Sequence, residues 1–201
     1  MIRDIVVEGE AVLRRVSAPI ERFDEELRAL VSDMVDTMIA APGVGLAAPQ
    51  IGVDAAVFVW RYSGRSRFDE RYGAALGLGG ARPSSGAVVN PRLSLEWDPE
   101  RVLPSAPDLE CECEGCLSFP GYQYPLRRAT RAVLEGFTPD GEPLRVEAAG
   151  WLARIFQHEY GHLGGRLYID HLAEPWAGEA AAVKSAEGWG SPGIFWTPRP
   201  S

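Results

Sequence analysis

Residues 158–162 read H-E-Y-G-H, a metal-binding pattern that constrains the fold of this chain more than any other stretch. His158 and His162 are four residues apart, so a helix places both imidazoles on one face, a turn apart. Glu159 then lies beside the first ligand and can act on a water at the ion without binding the ion. The alternative is a surface helix that carries two histidines by chance, but the apolar residues around them favour a metal site.

Two histidines leave a catalytic metal site incomplete, because such sites usually have three protein ligands. The longer metzincin pattern requires a histidine at position 168, where this chain has Tyr168. A cysteine from E-C-E-C-E-G-C at 110–116 is the better candidate, since a thiolate beside two imidazoles suits Fe²⁺, Zn²⁺, Ni²⁺ or Co²⁺. These cysteines are alternatively a separate structural zinc site, although C-x-C-x-x-C lacks a fourth local ligand.

Gly161 lies inside the predicted helix, between Glu159 and His162. A glycine in a helix interior costs about 1 kcal/mol relative to alanine. The sequence therefore places a weak helix position next to a metal ligand, a cost that metal binding can offset.

Hydrophobic periodicity predicts two helices, and apolar runs bounded by turn residues predict four strands. The first helix follows the N-cap Asp24 and ends before Pro42, and the second extends from Ala149 to the stop signal at 164–165. The turn at 139–143 joins the last two strands into a hairpin. Two stretches without periodicity, 62–86 and 97–110, are predicted to be long loops. The predicted strands are 55–60, 87–95, 131–137 and 143–148.

The predicted fold is α+β: a single domain with mixed or antiparallel β-sheets around a central metal-binding helix. A length of 201 residues, 46% of them hydrophobic, fits one domain with its own core. A net charge of -8 argues against broad binding to nucleic acid or to an anionic membrane. We expect a cytoplasmic protein without a membrane span, because there is no long apolar run or signal-like start and the crowded cysteines make a poor disulfide framework.

Three separated motifs are similar to those of one enzyme family. They are GVGLAAPQ at 43–50, EGCLS at 114–118 and QHEYGH at 157–162. Taken alone, the first is a tight turn leading into a strand, since it lacks the lysine of a phosphate-binding loop. Together, in this order and spacing, the motifs resemble peptide deformylase, and DMVDTM at 33–38 and LYID at 167–170 support the resemblance over most of residues 5–171.

The resemblance implies hydrolysis of the N-formyl group from the starting methionine of nascent chains, with release of formate. The implied cofactor is one Fe²⁺ per chain, for which Zn²⁺, Ni²⁺ or Co²⁺ can substitute. Glu159 would be the general base and acid, while Gln50 and the backbone N–H of Leu117 would donate hydrogen bonds to the oxyanion. The implied metal ligands are Cys116, His158 and His162.

The resemblance also implies that the peptide binds as an added strand, between backbone near Gly45 and near Gly115. Its partners would be N-formyl-methionyl peptides and, transiently, the ribosome. Residues 1–171 would form the catalytic domain. Residues 172–201 would be a tail packed on it through Trp176, Trp189 and Trp196. Further residues expected at the substrate or its methionine pocket are Val44, Trp151, Ile155 and Phe119.

The chain departs from the family pattern at Gly161, where relatives usually carry aspartate. This position is poorly placed to bind the ion, so we expect an effect on outer hydrogen bonds rather than loss of the metal. Cys111 and Cys113 lie outside the family motif and are expected to be solvated loop thiols. Two alternatives remain: a non-catalytic or weakly active paralogue that binds metal and peptide termini, and a metallopeptidase that cuts internal bonds.

Overall fold

A computed structural model describes residues 1–79, 82–97 and 102–199 of the chain. Parts of both predicted loops (80–81 and 98–101) and the last two residues of the predicted tail lie outside the described residues. The helices are α1 (Glu25–Ala40), α2 (Arg67–Tyr72), α3 (Gly150–Leu163) and α4 (Trp176–Ala186). The strands are β1 (Ile5–Val6), β2 (Gly45–Ala47), β3 (Val57–Tyr62), β4 (Ser84–Glu96), β5 (Cys113–Cys116), β6 (Phe119–Pro125), β7 (Arg131–Phe137), β8 (Pro143–Ala149) and β9 (Phe195–Trp196).

The strands in the described part of the chain form one large sheet and two small ones. The large sheet has the order β2-β3-β4-β7-β8, β5 pairs with β6, and β1 pairs with β9. Every pairing between described strands is antiparallel. This confirms the predicted α+β single domain and resolves its sheets as antiparallel. The hairpin of β7 and β8 is also confirmed, with Phe137 opposite Pro143.

Helix α1 follows the predicted pattern closely. The side chain of Asp24 accepts a hydrogen bond from the N–H of Leu27 at 3.2 Å, which confirms its role as N-cap. The apolar face of the helix buries Leu27, Met34 and Met38 in a core that also contains residues from β2 and β3. Packing of this face supports the β2 edge of the large sheet, which is part of the 43–50 motif.

Helix α3 lies across the large sheet and carries the H-E-Y-G-H pattern. Its side chains Leu152, Ile155 and Phe156 pack in one core with residues of β2, β3, β4, β7 and β8. The helix ends as predicted at Gly164 and Gly165, because Gly165 has a φ of 72° that favours glycine. The N–H of Gly165 then binds the carbonyl of His162 at 3.1 Å, which closes the last turn beside a predicted ligand.

The predicted loop at 62–86 was wrong at 67–72, which form α2, and at its ends, where Tyr62 belongs to β3 and 84–86 belong to β4. Ser66 caps this helix by accepting a hydrogen bond from the N–H of Asp69 at 3.0 Å, and Phe68 is buried beneath it. Asp69 in turn accepts from the N–H of Trp151 at 3.1 Å, at the start of α3. Since the N-cap of α3 is Ala149, which has no capping side chain, Asp69 takes over that task from a neighbouring helix.

The C-terminal segment contains a helix, α4, that the sequence reading did not predict. Its Ala-rich stretch has high helix propensity, and Lys184 reaches Glu8 at 2.6 Å. The tryptophans contact the rest of the chain: the ring of Trp176 lies 6.2 Å from that of Tyr124, and the ring of Trp189 lies 4.8 Å from that of Phe119. Strand β9 completes this segment by pairing Trp196 with Ile5.

None of the helices in the described ranges combines the length and the apolar character that crossing a membrane requires.

Candidate metal centre and cleft

The structure brings three predicted ligands together. The sulfur of Cys116 and one ring nitrogen each of His158 and His162 all lie within 4.8 Å of one another. Nε2 of His162 lies 3.2 Å from Sγ of Cys116, and both residues are buried. Strand β5 supplies the sulfur and α3 supplies both nitrogens. One thiolate and two imidazoles form a donor set that suits Fe²⁺, Zn²⁺, Ni²⁺ or Co²⁺, so the residues fit the implied ion.

Glu114 orients the imidazole ring of His158 through its Nδ1 atom. Its carboxylate lies 3.1 Å from Nδ1 of His158, which leaves Nε2 of that ring as the nitrogen for a metal. Arg128 donates two hydrogen bonds to the same carboxylate, at 2.8 and 2.9 Å. Burial opposes the ionisation of Glu114, but Arg128 outweighs it and holds the pKa of this carboxyl well below its usual value. Glu114 therefore stays charged beside the histidine.

The pKa values of the two histidines shift in opposite directions. Burial alone would lower the pKa of His158, but the sulfur of Cys116 and the hydrogen bond to Glu114 raise it well above its ordinary value. Burial, followed by the charge of His158, lowers the pKa of His162 well below its ordinary value. Nδ1 of His162 has no hydrogen-bond partner among the described residues. A neutral imidazole is the form that binds metal, so His162 is ready to act as a ligand.

Glu159 lies beside the cluster without joining it. Its side chain is buried, lines the cleft, and carries an Oε2 atom without a hydrogen-bond partner in the described part of the chain. Burial raises the pKa of this carboxyl to about 7. A group with this pKa can both take and return a proton near neutral pH, as general acid–base work requires.

Gln50 has a fixed amide orientation. Its Oε1 accepts a hydrogen bond from the N–H of Ala47 at 2.8 Å, so its NH₂ group turns toward the metal cluster. That NH₂ group lies 3.4 Å from Oγ of Ser118 and 3.6 Å from Sγ of Cys116. Gln50 is therefore placed as a donor at the cluster, where it also lines the cleft.

A cleft of about 1160 Å³ opens in front of the cluster. Phe119 does not line it, because this side chain is fully buried against Tyr122, Tyr168 and Trp189. The expectation that Phe119 forms part of the methionine pocket was therefore wrong, and the residue packs the β5–β6 hairpin instead. The predicted site residues that do line the cleft are Val44, Gly45, Gln50, Gly115, Cys116, Leu117, Trp151, Ile155, His158 and Glu159.

A buried ion network behind the cluster was missed by the sequence reading. Arg154, one turn before His158 on α3, donates to Glu114 at 2.7 Å and lies 3.3 Å from the carboxylate of Glu112. It also donates to the carbonyl of Leu126 at 2.6 Å, and Arg127 adds a second cation at Glu112. The sequence signal was the alternation of Glu112 and Glu114, the first just before β5 and the second within it, and both carboxylates contact Arg154.

The two additional cysteines are less exposed than expected. Cys111 is buried with Phe68 and Leu103, and burial, followed by Asp108, raises the pKa of its thiol to about 11. Cys113 is half-buried, and its thiol lies 3.2 Å from the carbonyl of Leu109. Both are free thiols rather than a disulfide. The expectation of solvated loop thiols was therefore wrong for Cys111, because α2 packs over it.

Gly161 has open space around it. A Cβ atom added there would meet only the carbonyl of Arg166, at 3.5 Å, which is an ordinary contact. The carbonyl of Gly161 accepts from the N–H of Arg166 at 2.9 Å, so this position serves the helix end through its backbone. Neither contact requires the residue to be glycine.

Replacing Gly161 with alanine is expected to stabilise the fold by about 0.5–1 kcal/mol, since alanine restricts the unfolded chain and the folded site has room. Thermal unfolding should rise by roughly 2–3 °C for a chain of this size. Gly165→Ala is the matched control, because its positive φ and the nearby backbone of Arg14 make the same change unfavourable. A lower unfolding temperature for Gly161→Ala would contradict this reading.

Gly45 is constrained by Glu159. A Cβ atom added to Gly45 would lie 2.6 Å from Cδ and 2.8 Å from Cγ of Glu159, closer than atoms can approach. The glycine was predicted as a place for peptide backbone to approach. The structure adds a second requirement, because only glycine at this position leaves the carboxylate where it is.

Gly45→Ala is expected to lower activity about 100-fold by displacing the Glu159 carboxylate on the order of 1 Å. The overall fold should persist, because the displaced atoms belong to the end of a side chain. Gly115→Ala should lose much less, since its Cβ would meet the flexible side chain of Gln123 at 3.1 Å. Steady-state kinetics measure the activity of each variant, and circular dichroism checks that each is folded. Equal losses of activity in the two variants would contradict the prediction.

Comparison with known proteins places these features in one family. The family profile described as "Polypeptide deformylase" matches residues 2–176. A peptide deformylase of Tropheryma whipplei (strain Twist) is 39% identical over 205 residues, which cover 98% of this chain and 83% of that protein. One from Mycobacterium sp. (strain JLS) is 41% identical over 199 residues, covering 96% and 93%. The crystal structure of a peptide deformylase from Legionella pneumophila has a TM-score of 0.73 at 30% identity, over 94% of this chain and 96% of that one.

Proposed function

This chain belongs to the peptide deformylase family, and we propose that Cys116, His158 and His162 hold its metal ion while Glu159 is the general base and acid. As a member of that family it is a metal-dependent hydrolase that removes the N-formyl group from the N-terminal methionine of nascent polypeptides. The observation that carries the assignment of roles is the convergence of the three ligand atoms beside a buried carboxyl at the wall of a cleft.

Cys116, His158 and His162 would hold a divalent ion, which would supply Lewis acidity for the hydrolysis. The protein's own groups are proposed to transfer the proton and to bind the oxyanion. Glu159, with its pKa near 7, takes a proton from the attacking water and returns it to the departing amine. Gln50 and the N–H of Leu117 are proposed to bind the oxyanion, where one such donor typically contributes about 100- to 1,000-fold in rate.

The substrate is proposed to lie in the cleft as an added strand. Strand β2 is an edge of the large sheet, so its backbone is available to a peptide along Val44 and Gly45. Gly115 faces the cleft from the opposite wall. Trp151 and Ile155, which rise from α3 into the same cleft, are proposed to hold the methionine side chain. Both residues line the same cleft as His158, which supports this assignment.

Other aspects of the function are proposals of their own. The ion is proposed to be one Fe²⁺ per chain, with Zn²⁺, Ni²⁺ or Co²⁺ able to replace it. The catalytic domain is proposed to span 1–171, with 172–201 as a tail packed on it. The protein is proposed to work in the cytoplasm and to contact the ribosome transiently, where formylated ends emerge. Co-sedimentation of the purified chain with translating ribosomes tests the last point.

Formate release by the metal-loaded chain tests the assignment directly. The protein is loaded with Fe²⁺ without oxygen, or with Ni²⁺, and given a formyl-Met-Ala-Ser peptide, with acetyl-Met-Ala-Ser as control. Release of formate alone is expected. Tight binding without turnover would instead support a non-catalytic paralogue, and cleavage of internal bonds would support a metallopeptidase. A Gly161→Asp variant, measured in parallel, tells whether restoring the usual residue raises the rate.

A further inference from the structure

The turn that follows the ligand cysteine is held from outside by the C-terminal segment. Cys116 pairs with Phe119 across the β5–β6 hairpin, which makes Leu117 and Ser118 the two residues of the turn. The indole Nε1–H of Trp196 donates a hydrogen bond to the carbonyl of Leu117 at 2.9 Å. Trp196 also lines the cleft. Trp196, which lies 79 positions from Leu117 in sequence, thus contacts the turn that directly follows Cys116.

The other end of the same peptide group contacts the ligand. The N–H of Ser118 belongs to the peptide unit whose carbonyl is that of Leu117, and it donates to Sγ of Cys116 at 3.4 Å. The chain of contacts therefore runs from the indole, through one peptide group, to the sulfur. Hydrogen bonds in such a chain strengthen one another, because a donor at the carbonyl polarises the N–H at the far side.

We infer that Trp196 is a positioning residue for the reaction: its indole fixes and polarises the Leu117–Ser118 peptide, whose N–H then binds the ligand sulfur of Cys116. The inference deepens the proposed function and rests on its assignment of Cys116 as a metal ligand. Partners outside the ligand set commonly change metal affinity or activity about 10- to 100-fold. Here the partner is supplied by a segment outside the proposed catalytic domain.

The same contact bears on the proposed oxyanion donor. The N–H of Leu117 belongs to the preceding peptide unit, so the orientation of the turn sets where this N–H points. Besides the bond from Trp196, the turn is held by the N–H of Glu8, which donates to the carbonyl of Ser118 at 2.9 Å. Losing the indole removes one of the two hydrogen bonds that the carbonyls of the turn accept from Trp196 and Glu8, and a small shift of an oxyanion donor is costly to the rate.

Trp196 itself is held firmly enough to act in this way. It pairs with Ile5 in the β1–β9 ladder, and Ile5 is fully buried. The N–H of Val7 binds the carbonyl of Ile194 at 3.0 Å and extends the pairing by one residue. The indole is half-buried against the core formed by α1 and β2. The backbone pairing of β9 and the packing of the ring together direct the indole N–H toward the carbonyl of Leu117.

The test uses the full chain loaded with Co²⁺, because a thiolate bound to Co²⁺ gives a charge-transfer absorption in the near ultraviolet. Trp196 is replaced by phenylalanine and, separately, by β-(3-benzothienyl)alanine, which keeps the two fused rings and lacks the N–H. Both variants should bind one Co²⁺ per chain. Their band should move to longer wavelength, since a sulfur with a weaker hydrogen bond gives up an electron more easily.

Kinetics supply the second readout. For a formyl-Met peptide, kcat should fall about tenfold in both variants. KM should change little in the benzothienyl variant, because this side chain keeps both rings at the cleft wall and loses only the N–H. Phe195→Ala is the matched control, since this neighbour in β9 is exposed and makes no side-chain contact with the turn that the structure records. It should keep the wild-type band and kcat.

Two results would overturn the inference: a benzothienyl variant with the wild-type band and kcat, or a Phe195→Ala variant that shows the same changes as the Trp196 variants. The second result would mean that the stability of the ladder, and not the indole N–H, is what matters. If the wild-type chain itself releases no formate, the proposed function fails, and the position of the Co²⁺ band alone then decides whether Trp196 acts on the sulfur.

Discussion

Replacing Glu159 with glutamine is expected to lower kcat for formate release by about 100- to 10,000-fold, because an amide can neither accept nor return the proton. The change preserves the shape of the side chain, which is buried beside Gly45 and lines the cleft. Glu159 is not among the converging ligand atoms, so the variant should still hold one ion per chain. Elemental analysis and steady-state kinetics check both points, with His162→Ala as the control that loses the ion.

The same substitution should alter stability in a way that depends on pH. Burial raises the pKa of Glu159 from 4.5 to about 7, so the folded chain holds this proton more tightly than the unfolded chain. The free energy of unfolding therefore falls as pH rises between these values, and glutamine removes that fall. At about pH 8, metal-free E159Q should unfold at a higher temperature than metal-free wild type, and the two should converge toward about pH 5. In the kinetic experiment, a kcat of E159Q for formate release within tenfold of wild type would refute the role of Glu159 as general base and acid.

Replacing Arg154 with methionine is expected to destabilise the fold by about 3 kcal/mol, because removing one partner of a buried ion network leaves a carboxylate short of its counter-charge. Arg154 is almost fully buried and touches both Glu112 and Glu114. Each carboxylate keeps a second arginine, Arg127 or Arg128, so the loss should lie at the lower end of the usual range. Thermal unfolding should fall by roughly 10 °C.

Arg145→Met is the matched control for this prediction. Arg145 also pairs with two carboxylates, Glu147 at 2.6 Å and Glu135 at 3.7 Å, but all three side chains are more than half exposed. Exposed pairs contribute about 0.2–1 kcal/mol, so this variant should unfold close to wild type. Equal effects of the two substitutions would show that the buried network adds nothing beyond packing. Because Glu114 also contacts His158, Arg154→Met should weaken metal binding as well.

The ligand helix and its neighbours were predictable because their signals are local. The four-residue spacing of His158 and His162 requires a helix, and Asp24 and Gly165 mark helix ends by chemistry that acts within one turn. Residues that contact one another only in the tertiary fold gave weaker signals. Cys116, Gln50 and Leu117 were assigned by resemblance, since no spacing rule connects three distant stretches.

The features that the sequence reading missed depend on pairing between distant segments. Arg154 occupies a buried helix position where an unpaired charge is costly. Its presence is explained by two carboxylates, Glu114 in β5 and Glu112 just before β5. Helix α2 is six residues long, too short for periodicity to reveal, and its Ser66 cap was the available signal. Helix α4 was not predicted because its segment is rich in both alanine and glycine, although alanine is the strongest helix former.

The β1–β9 ladder has a consequence for how the enzyme matures. Its partners, Ile5 and Trp196, lie 191 positions apart, so forming it requires closure of nearly the whole chain, a slow kind of contact to make. During synthesis Cys116 and helix α3, which carry the proposed metal ligands, leave the ribosome before residue 196 does. A growing chain can therefore bring Cys116, His158 and His162 together while the turn after Cys116 still lacks its indole partner, and full activity should come only after Trp196 has been added and has paired with Ile5.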